Sequence, residues 1–250
     1  MPVLETRIEG HGPALVLVHG FLGGAGMWEG QFAALKSKFR IIAPNLAGFG
    51  DSAHLQAPDR IEDHASIVLN CLSELGIETF QLLGHSMGGM VVQQMAAMAP
   101  DRISKLILYG TGPIGLLPDR FEPIETSRQR FIDEGLEATA KRIAATWFRL
   151  GEQGPGYDIC VREGAKATMQ AALSTLTSWE HWNGAEALKD FKMPCRIIWG
   201  DKDRSYGWPQ AEALWRGIPN AELAVVPGAA HNVHMEKPRF FNDILCDFLE

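Results

Sequence analysis

The chain has four cysteines, at 71, 160, 195 and 246, and no Cys-x-x-Cys pair among them. That spacing excludes the usual zinc knuckle and dithiol redox motifs, and the apolar neighbours of these residues read as buried free thiols in a reducing compartment. No apolar run is long enough to cross a bilayer, and the stretch from Met1 to Arg7 lacks the basic-then-apolar pattern of an export signal. A cytoplasmic location is therefore expected. Clusters of Lys and Arg are also missing. With 30 acidic against 23 basic residues the net charge is −7, which offers no long-range attraction to a phosphate backbone, so nucleic acid is not expected as a partner. Internal repeats and low-complexity segments are absent too.

What is present is 250 residues of ordinary globular composition, 46% hydrophobic and 21% charged, enough for one sizeable core. The most informative stretch is Phe80-Gln81-Leu82-Leu83-Gly84-His85-Ser86-Met87-Gly88-Gly89, a short apolar strand running into a helix with a serine at the junction. The spacing Gly84-x-Ser86-x-Gly88 fits a nucleophile elbow, a turn so tight that the serine backbone is strained and its neighbours must be small. A helix starting after Ser86 aims free N–H groups at whatever sits over the hydroxyl, so an oxyanion forming there meets partial positive charge. Met90 to Ala99 has helical composition and stops at Pro100.

Taken in order, Val3 to Glu9 reads as a short strand and Ala14 to Val18 as a strand covered on both faces. The latter ends at His19-Gly20-Phe21-Leu22-Gly23-Gly24, where a glycine-bearing loop can bring the Phe21 N–H beside Ser86. With the N–H of Met87 it would form a two-donor oxyanion hole. Trp28 to Lys36 is a helix, Phe39 to Pro44 a strand, and Ile61 to Leu75 a helix closed by Gly76. Ile103 to Tyr109 is the next strand. Strands alternating with helices at this spacing predict an α/β fold: a mostly parallel sheet with helices on both faces and active groups at the strands' carboxyl ends.

From Ile114 to Lys189 the alternation stops, and helix formers with interspersed tryptophans take over. Residues 114–189 therefore read as an inserted helical cap on a core made of 1–113 and 190–250. Its expected helices are Ile124 to Asp133, Leu136 to Leu150 and Tyr157 to Leu173. The sheet resumes at Cys195 to Trp199 and Glu222 to Val226, and Pro238 to Leu249 closes the chain as a helix.

A serine hydroxyl needs a general base, and the base needs an orienting carboxylate. Two late strand ends offer these: Asp201 and Asp203 after one, His231 after the next.

With these pieces in place, the chain resembles the α/β-hydrolase superfamily over essentially its whole length. The matching motifs are His19-Gly20-Phe21, Gly48-Phe49-Gly50-Asp51-Ser52, Gly84-His85-Ser86-Met87-Gly88-Gly89, Trp199-Gly200-Asp201-Lys202-Asp203, and Gly228-Ala229-Ala230-His231 followed by Glu236-Lys237-Pro238. The resemblance selects Asp203 over Asp201, because the family's acid closes the Gly-x-x-Asp motif, and His231 over His234. Asn45 departs from a position where the family often has aspartate. The implied catalytic set is Ser86, Asp203 and His231, with Phe21 and Met87 as the oxyanion hole and no metal or organic cofactor. His19 then braces the oxyanion loop and His85 packs beside the elbow.

The implied activity is hydrolysis of a carboxylic ester or related acyl substrate, a small molecule. Carbon–carbon hydrolases of ring-fission products and enol-lactonases are the enzymatic alternatives, and a hydrolase-like ligand receptor is the alternative of another class. Ring-fission hydrolases commonly place asparagine before the serine and tryptophan after the histidine, where this chain has His85 and Asn232. The paired Gly88-Gly89 argues against the receptor. Substrate contacts are expected from Leu22, His85, Trp147, Trp179, Trp182 and Asn232, with an apolar pocket built from the cap. Arg128, Arg142, Arg149 and Arg162 read as solvated helix charges, with carboxylate binding as the alternative. Nothing in the sequence sets the oligomeric state.

Overall fold

A computed structural model describes residues 3–118, 120 and 122–250; Met1 and Pro2, which open the N-terminal stretch read above, and Asp119 and Phe121 lie outside the described residues. The frame is a seven-stranded sheet of order β1-β3-β2-β4-β5-β6-β7. The strands are β1 (Thr6–Glu9), β2 (Ala14–Val18), β3 (Arg40–Pro44), β4 (Phe80–His85), β5 (Ile103–Tyr109), β6 (Cys195–Gly200) and β7 (Glu222–Val226). β1 runs antiparallel to β3 and every other neighbouring pair is parallel.

The core helices are α1 (Glu29–Leu35), α2 (Ile61–Glu74), α3 (Met87–Met98), α8 (Trp208–Gly217), α9 (Val233–Glu236) and α10 (Pro238–Leu249). Alternation along the strands sorts the core into two layers. Val16, Val18, Leu82, Leu106, Leu108 and Ile197 pack with α2, α3 and α8, while Leu15, Leu17, Leu83, Ile107, Tyr109 and Ile198 pack with α1 and α10. Each helix supplies one apolar face. In α2 it is Ile61, Ala65, Val68, Leu69 and Leu72; in α10 it is Phe241, Leu245, Phe248 and Leu249, the spacing of a single helical stripe.

Register decides where the site falls. Val18 pairs with Gly84, His85 with Tyr109, Tyr109 with Ile198, and Gly200 with Val226. The parallel strands β2, β4, β5, β6 and β7 thus end together, and the loops bearing Phe21, Ser86, Asp203 and His231 leave the sheet at one edge.

Between β5 and β6 the described residues include the α-helices α4 (Ile124–Glu134), α5 (Leu136–Thr146), α6 (Tyr157–Gly164) and α7 (Met169–His181). The ends of this insertion meet at a narrow neck, where Ile114 bridges Asn183 and the Gly184 N–H donates to the Pro113 carbonyl at 2.9 Å. The expected single helix from Tyr157 to Leu173 is in fact two. The break follows from Thr168, whose N–H is drawn to the Gly48 carbonyl of the core and whose hydroxyl caps a new helix by accepting from the Ala171 N–H at 3.0 Å. The new helix then runs on to His181, past the expected end at Leu173. Gln170 binds both the N–H and the carbonyl of Ala57, so the start of α7 is pinned to the core.

Cys71, Cys160 and Cys195 are buried free thiols as expected, whereas Cys246 is half-buried. Among the described residues no helix is long and apolar enough to cross a membrane.

Thr168→Ala is expected to destabilise the protein by about 1 kcal/mol through loss of the α7 cap. The urea unfolding midpoint, compared at unchanged slope, measures it.

Candidate active site

Ser86 sits between β4 and α3 with φ 57° and ψ −121°. A side chain held there costs on the order of 1–3 kcal/mol of backbone strain, so the surroundings must enforce the conformation. They do so by close approach of neighbouring backbone and side-chain atoms. A Cβ on Gly84 would fall under 3 Å from the Gly88 carbonyl, and one on Gly88 would strike the carbonyls of Val18 and His19. One on Gly89 would overlap Thr111, and one on Gly20 would lie 2.9 Å from the Ser86 Cβ. Hydrogen bonds complete the clamp. The Ser86 N–H donates to Tyr109 O at 3.0 Å, and the Thr111 hydroxyl donates to Ser86 O at 2.8 Å.

The same packing brings the Gly20–Phe21 backbone against Ser86. Met87 is the first residue of α3, so its N–H has no acceptor inside the helix. His19 holds the facing loop: its Nδ1–H donates to Gly20 O at 2.8 Å and its Nε2 accepts from the Leu46 N–H at 2.9 Å. Those partners require the neutral ring, and burial lowers its pKa to about 4.

Asp203 and His231 meet across the ends of β6 and β7. His231 Nδ1 lies 2.8 Å from Asp203 Oδ2. A carboxylate only accepts, so Nδ1 carries the proton and the neutral ring keeps its lone pair on Nε2. The other carboxylate oxygen, Oδ1, accepts from the N–H groups of Ser205 at 2.7 Å and Tyr206 at 3.1 Å. Asp201 serves a different purpose, accepting from the Gly228 N–H at 2.6 Å and so bracing the turn that leads to His231.

Behind the imidazole lies a layer of aromatic rings. The Tyr109 hydroxyl donates to the His231 carbonyl at 2.8 Å, and His85 stacks on Tyr109 at 4.4 Å while its Nε2 lies 3.3 Å from the same carbonyl. His234 is within 2.9 Å of the Tyr109 hydroxyl. Tyr206 covers the other side, near-parallel to the His231 ring at 5.8 Å, and a hydrogen bond links its hydroxyl to Ser86. Burial raises the Tyr206 pKa, so the phenol stays protonated.

Ser86 opens into a cavity of about 40 Å³. Phe21, Ser205 and Tyr206 wall it from the core, and Leu117, Ile143, Trp147 and Trp179 close it from the insertion together with Gly115 and Arg120. That volume holds roughly three waters, so a larger molecule enters only when the lining side chains move. The larger surface depression walled by Pro227, Lys237, Pro238 and Phe240 contains none of the candidate site residues. Among the described residues no three His, Cys, Asp or Glu side chains are grouped to hold a metal ion.

Of the expected substrate contacts, Trp147 and Trp179 line this cavity. Leu22, His85, Trp182 and Asn232 do not. Leu22 is buried under the loop at positive φ, and His85 lies behind His231. The Trp182 Nε1–H bonds Gln94, and the Asn232 amide bonds Cys160. These positions shape the site's supports. Arg128, Arg142 and Arg162 pair with glutamates and Arg149 is exposed. Tyr206 and Arg120 went unread in the sequence. An aromatic three residues after Asp203 was a usable signal for the first, whereas Arg120 lies in an aperiodic loop that gave none.

A family model of the alpha/beta hydrolase fold matches residues 13–238, and the chain belongs to that family. A putative carbamate hydrolase of Azorhizobium caulinodans is 28% identical, with 98% of this chain and 94% of that protein covered. A 2-hydroxy-6-oxononadienedioate/2-hydroxy-6-oxononatrienedioate hydrolase of Paraburkholderia phymatum is 29% identical, covering 94% of this chain and 86% of the other. The solved structure of a thermophilic esterase from Thermogutta terrifontis, with malate bound, superposes with a TM-score of 0.89 at 25% identity over 98% of this chain and 92% of that one.

Four buried histidines, at 19, 64, 85 and 234, have pKa values lowered chiefly by burial, the first to about 4 and those of His64 and His234 to about 3. The unfolded chain protonates them near 6.5, so it binds more protons than the folded chain below that pH. Stability is therefore whole above about pH 6.5 and falls as pH drops toward 4, each histidine contributing a slope of about 1.4 kcal/mol per pH unit. Urea unfolding free energies measured from pH 7 to 4.5 are expected to report uptake of more than one proton on unfolding.

Gly88→Ala is expected to cost about 1–3 kcal/mol despite the better helix former, because the new methyl meets two backbone carbonyls. Thermal denaturation reads it directly.

Proposed function

We propose that this hydrolase cleaves a carboxylic ester or related acyl substrate through Ser86, His231 and Asp203. The observation that carries the reading is Ser86 itself, held in a strained elbow at the start of α3 and opening into a cavity walled in part by Phe21, Leu117, Ile143, Trp147 and Trp179. The His231–Asp203 contact supports it by leaving His231 Nε2 as the basic nitrogen. In this mechanism His231 takes the Ser86 proton as the oxygen attacks the carbonyl, and the N–H groups of Phe21 and Met87 receive the negative charge that develops on the carbonyl oxygen. Asp203 stabilises the imidazolium. His231 then protonates the departing alcohol, and a water, deprotonated by the same ring, releases the acid from Ser86.

The relatives act, by their names, on a carbamate, on 2-hydroxy-6-oxononadienedioate and on esters, so the bond cleaved is set by the cavity lining rather than by the shared frame. His85 and Asn232, which separate this chain from ring-fission hydrolases, lie outside that lining. Aromatic and aliphatic walls beside Ser86 favour the ester reading.

Ser86→Ala should lower kcat/KM for a short-chain 4-nitrophenyl ester by about a thousandfold or more. Turnover retained within tenfold of the parent protein would remove Ser86 from the mechanism.

A further inference from the structure

Tyr206 is in contact with each member of the proposed catalytic set. Its N–H donates to Asp203 Oδ1 at 3.1 Å, its ring lies at 16° to the His231 ring with centroids 5.8 Å apart, and its hydroxyl is hydrogen-bonded to the Ser86 side chain. The residue is also held from outside that set. The Trp199 Nε1–H donates to the Tyr206 carbonyl at 2.8 Å, and a Cβ on Gly112 would lie 3.4 Å from Tyr206 Cδ1, so the ring packs against both the loop after β5 and the imidazole. Tyr206 is 5% exposed and lines the cavity over Ser86. Phenylalanine would fill the same space, so packing does not account for the hydroxyl. A buried hydroxyl costs free energy unless it is bonded, and here its bond is to the side chain that reacts.

We infer, resting on the acyl-hydrolase reading above, that Tyr206 is a further catalytic residue, whose hydroxyl donates a hydrogen bond to Ser86 Oγ and stabilises the negative charge that gathers there. In that mechanism the Ser86 hydrogen goes to His231 Nε2, which leaves Oγ with lone pairs to accept from a phenol. Burial raises the Tyr206 pKa, so the phenol keeps its proton while Oγ loses its own. Charge gathers on Oγ twice. In the first half-reaction the Ser86 O–H bond breaks as His231 takes the proton, and the bond from Oγ to the carbonyl carbon forms. In the second, the oxygen of water bonds that carbon, the carbon–Oγ bond breaks with its electron pair left on Oγ, and His231 returns a proton to it. Tyr206 donates in both and transfers no proton in either. A hydrogen bond strengthens as its acceptor becomes charged, so this donor acts on the transition states more than on the resting hydroxyl. The Phe21 and Met87 amides serve a different atom, the carbonyl oxygen.

Tyr206→Phe removes the hydroxyl and keeps the ring and the N–H to Asp203. It is expected to lower kcat for a short-chain 4-nitrophenyl ester by about 10- to 100-fold while KM changes by less than about threefold. Phosphonylation of Ser86 by a fluorophosphonate, which also forms its bond from Oγ, should slow by a similar factor. A fall confined to KM, or rates within about twofold of the parent protein, overturns the inference. A second measurement leaves Tyr206 in place and needs no turnover. With the three tyrosines of the chain replaced by 3-fluorotyrosine, the fluorine resonance of residue 206 should move in Ser86→Ala, which removes the acceptor, and an unmoved resonance overturns the inference. The two readings fail separately. Ester turnover that survives Ser86→Ala defeats the hydrolytic reading and the role of Tyr206 with it, whereas turnover lost in Ser86→Ala but kept in Tyr206→Phe defeats only the role of Tyr206.

Discussion

Backbone crowding where β2 and β4 meet the start of α3 is the constraint on which the rest depends. The carbonyls of Val18 and His19 leave no room for a side chain at Gly88, the Ser86 Cβ leaves none at Gly20, and Gly88 in turn leaves none at Gly84. Packed this closely, the turn has one solution, and that solution puts Ser86 at a backbone angle it would not adopt alone. Strain held by surrounding structure is also pre-organisation: the serine is aimed before any ligand arrives.

A second consequence is electrostatic. The site is backed by neutral imidazoles and a phenol rather than by charges. His85, Tyr109 and His234 pack around the His231 backbone, and burial keeps both histidines unprotonated. Rings of this kind hold the His231 carbonyl without placing a fixed charge next to the imidazole, so Asp203 is the partner that sets its tautomer. The division of labour between Asp201, which braces a turn, and Asp203, which touches the ring, follows from two residues' difference along one loop.

The inserted helices close the chamber. Glu163 is buried against Gly24 and Gly26, and Lys166 and Arg162 neutralise it, so α6 is fastened to the loop that follows β2. Pinned at α6, at the start of α7 and at Trp147, whose carbonyl accepts from the Asn232 N–H, the insertion leaves the wall near Leu117 as the surface whose motion would admit a substrate.

Much of this was legible in the amino-acid order. Apolar runs of five to seven residues marked the strands, glycines at 84, 88 and 89 marked the elbow, and the period of α2 and α10 marked their buried faces, because each signal is local and repeats at the spacing of its own element. The α6–α7 break was not legible: Thr168 caps a helix only because Gly48, 120 residues earlier, takes its N–H. The cavity was less legible still. Trp182 and Trp147 look alike in sequence, yet one is turned to Gln94 and the other to the space over Ser86. Sequence alone determined which residues could do chemistry and which strands would carry them, since those properties belong to side-chain types and short-range order. Tertiary structure alone decided which walls face the serine, and that Arg120 from an aperiodic loop is among them, because facing is a relation between segments that no single segment encodes.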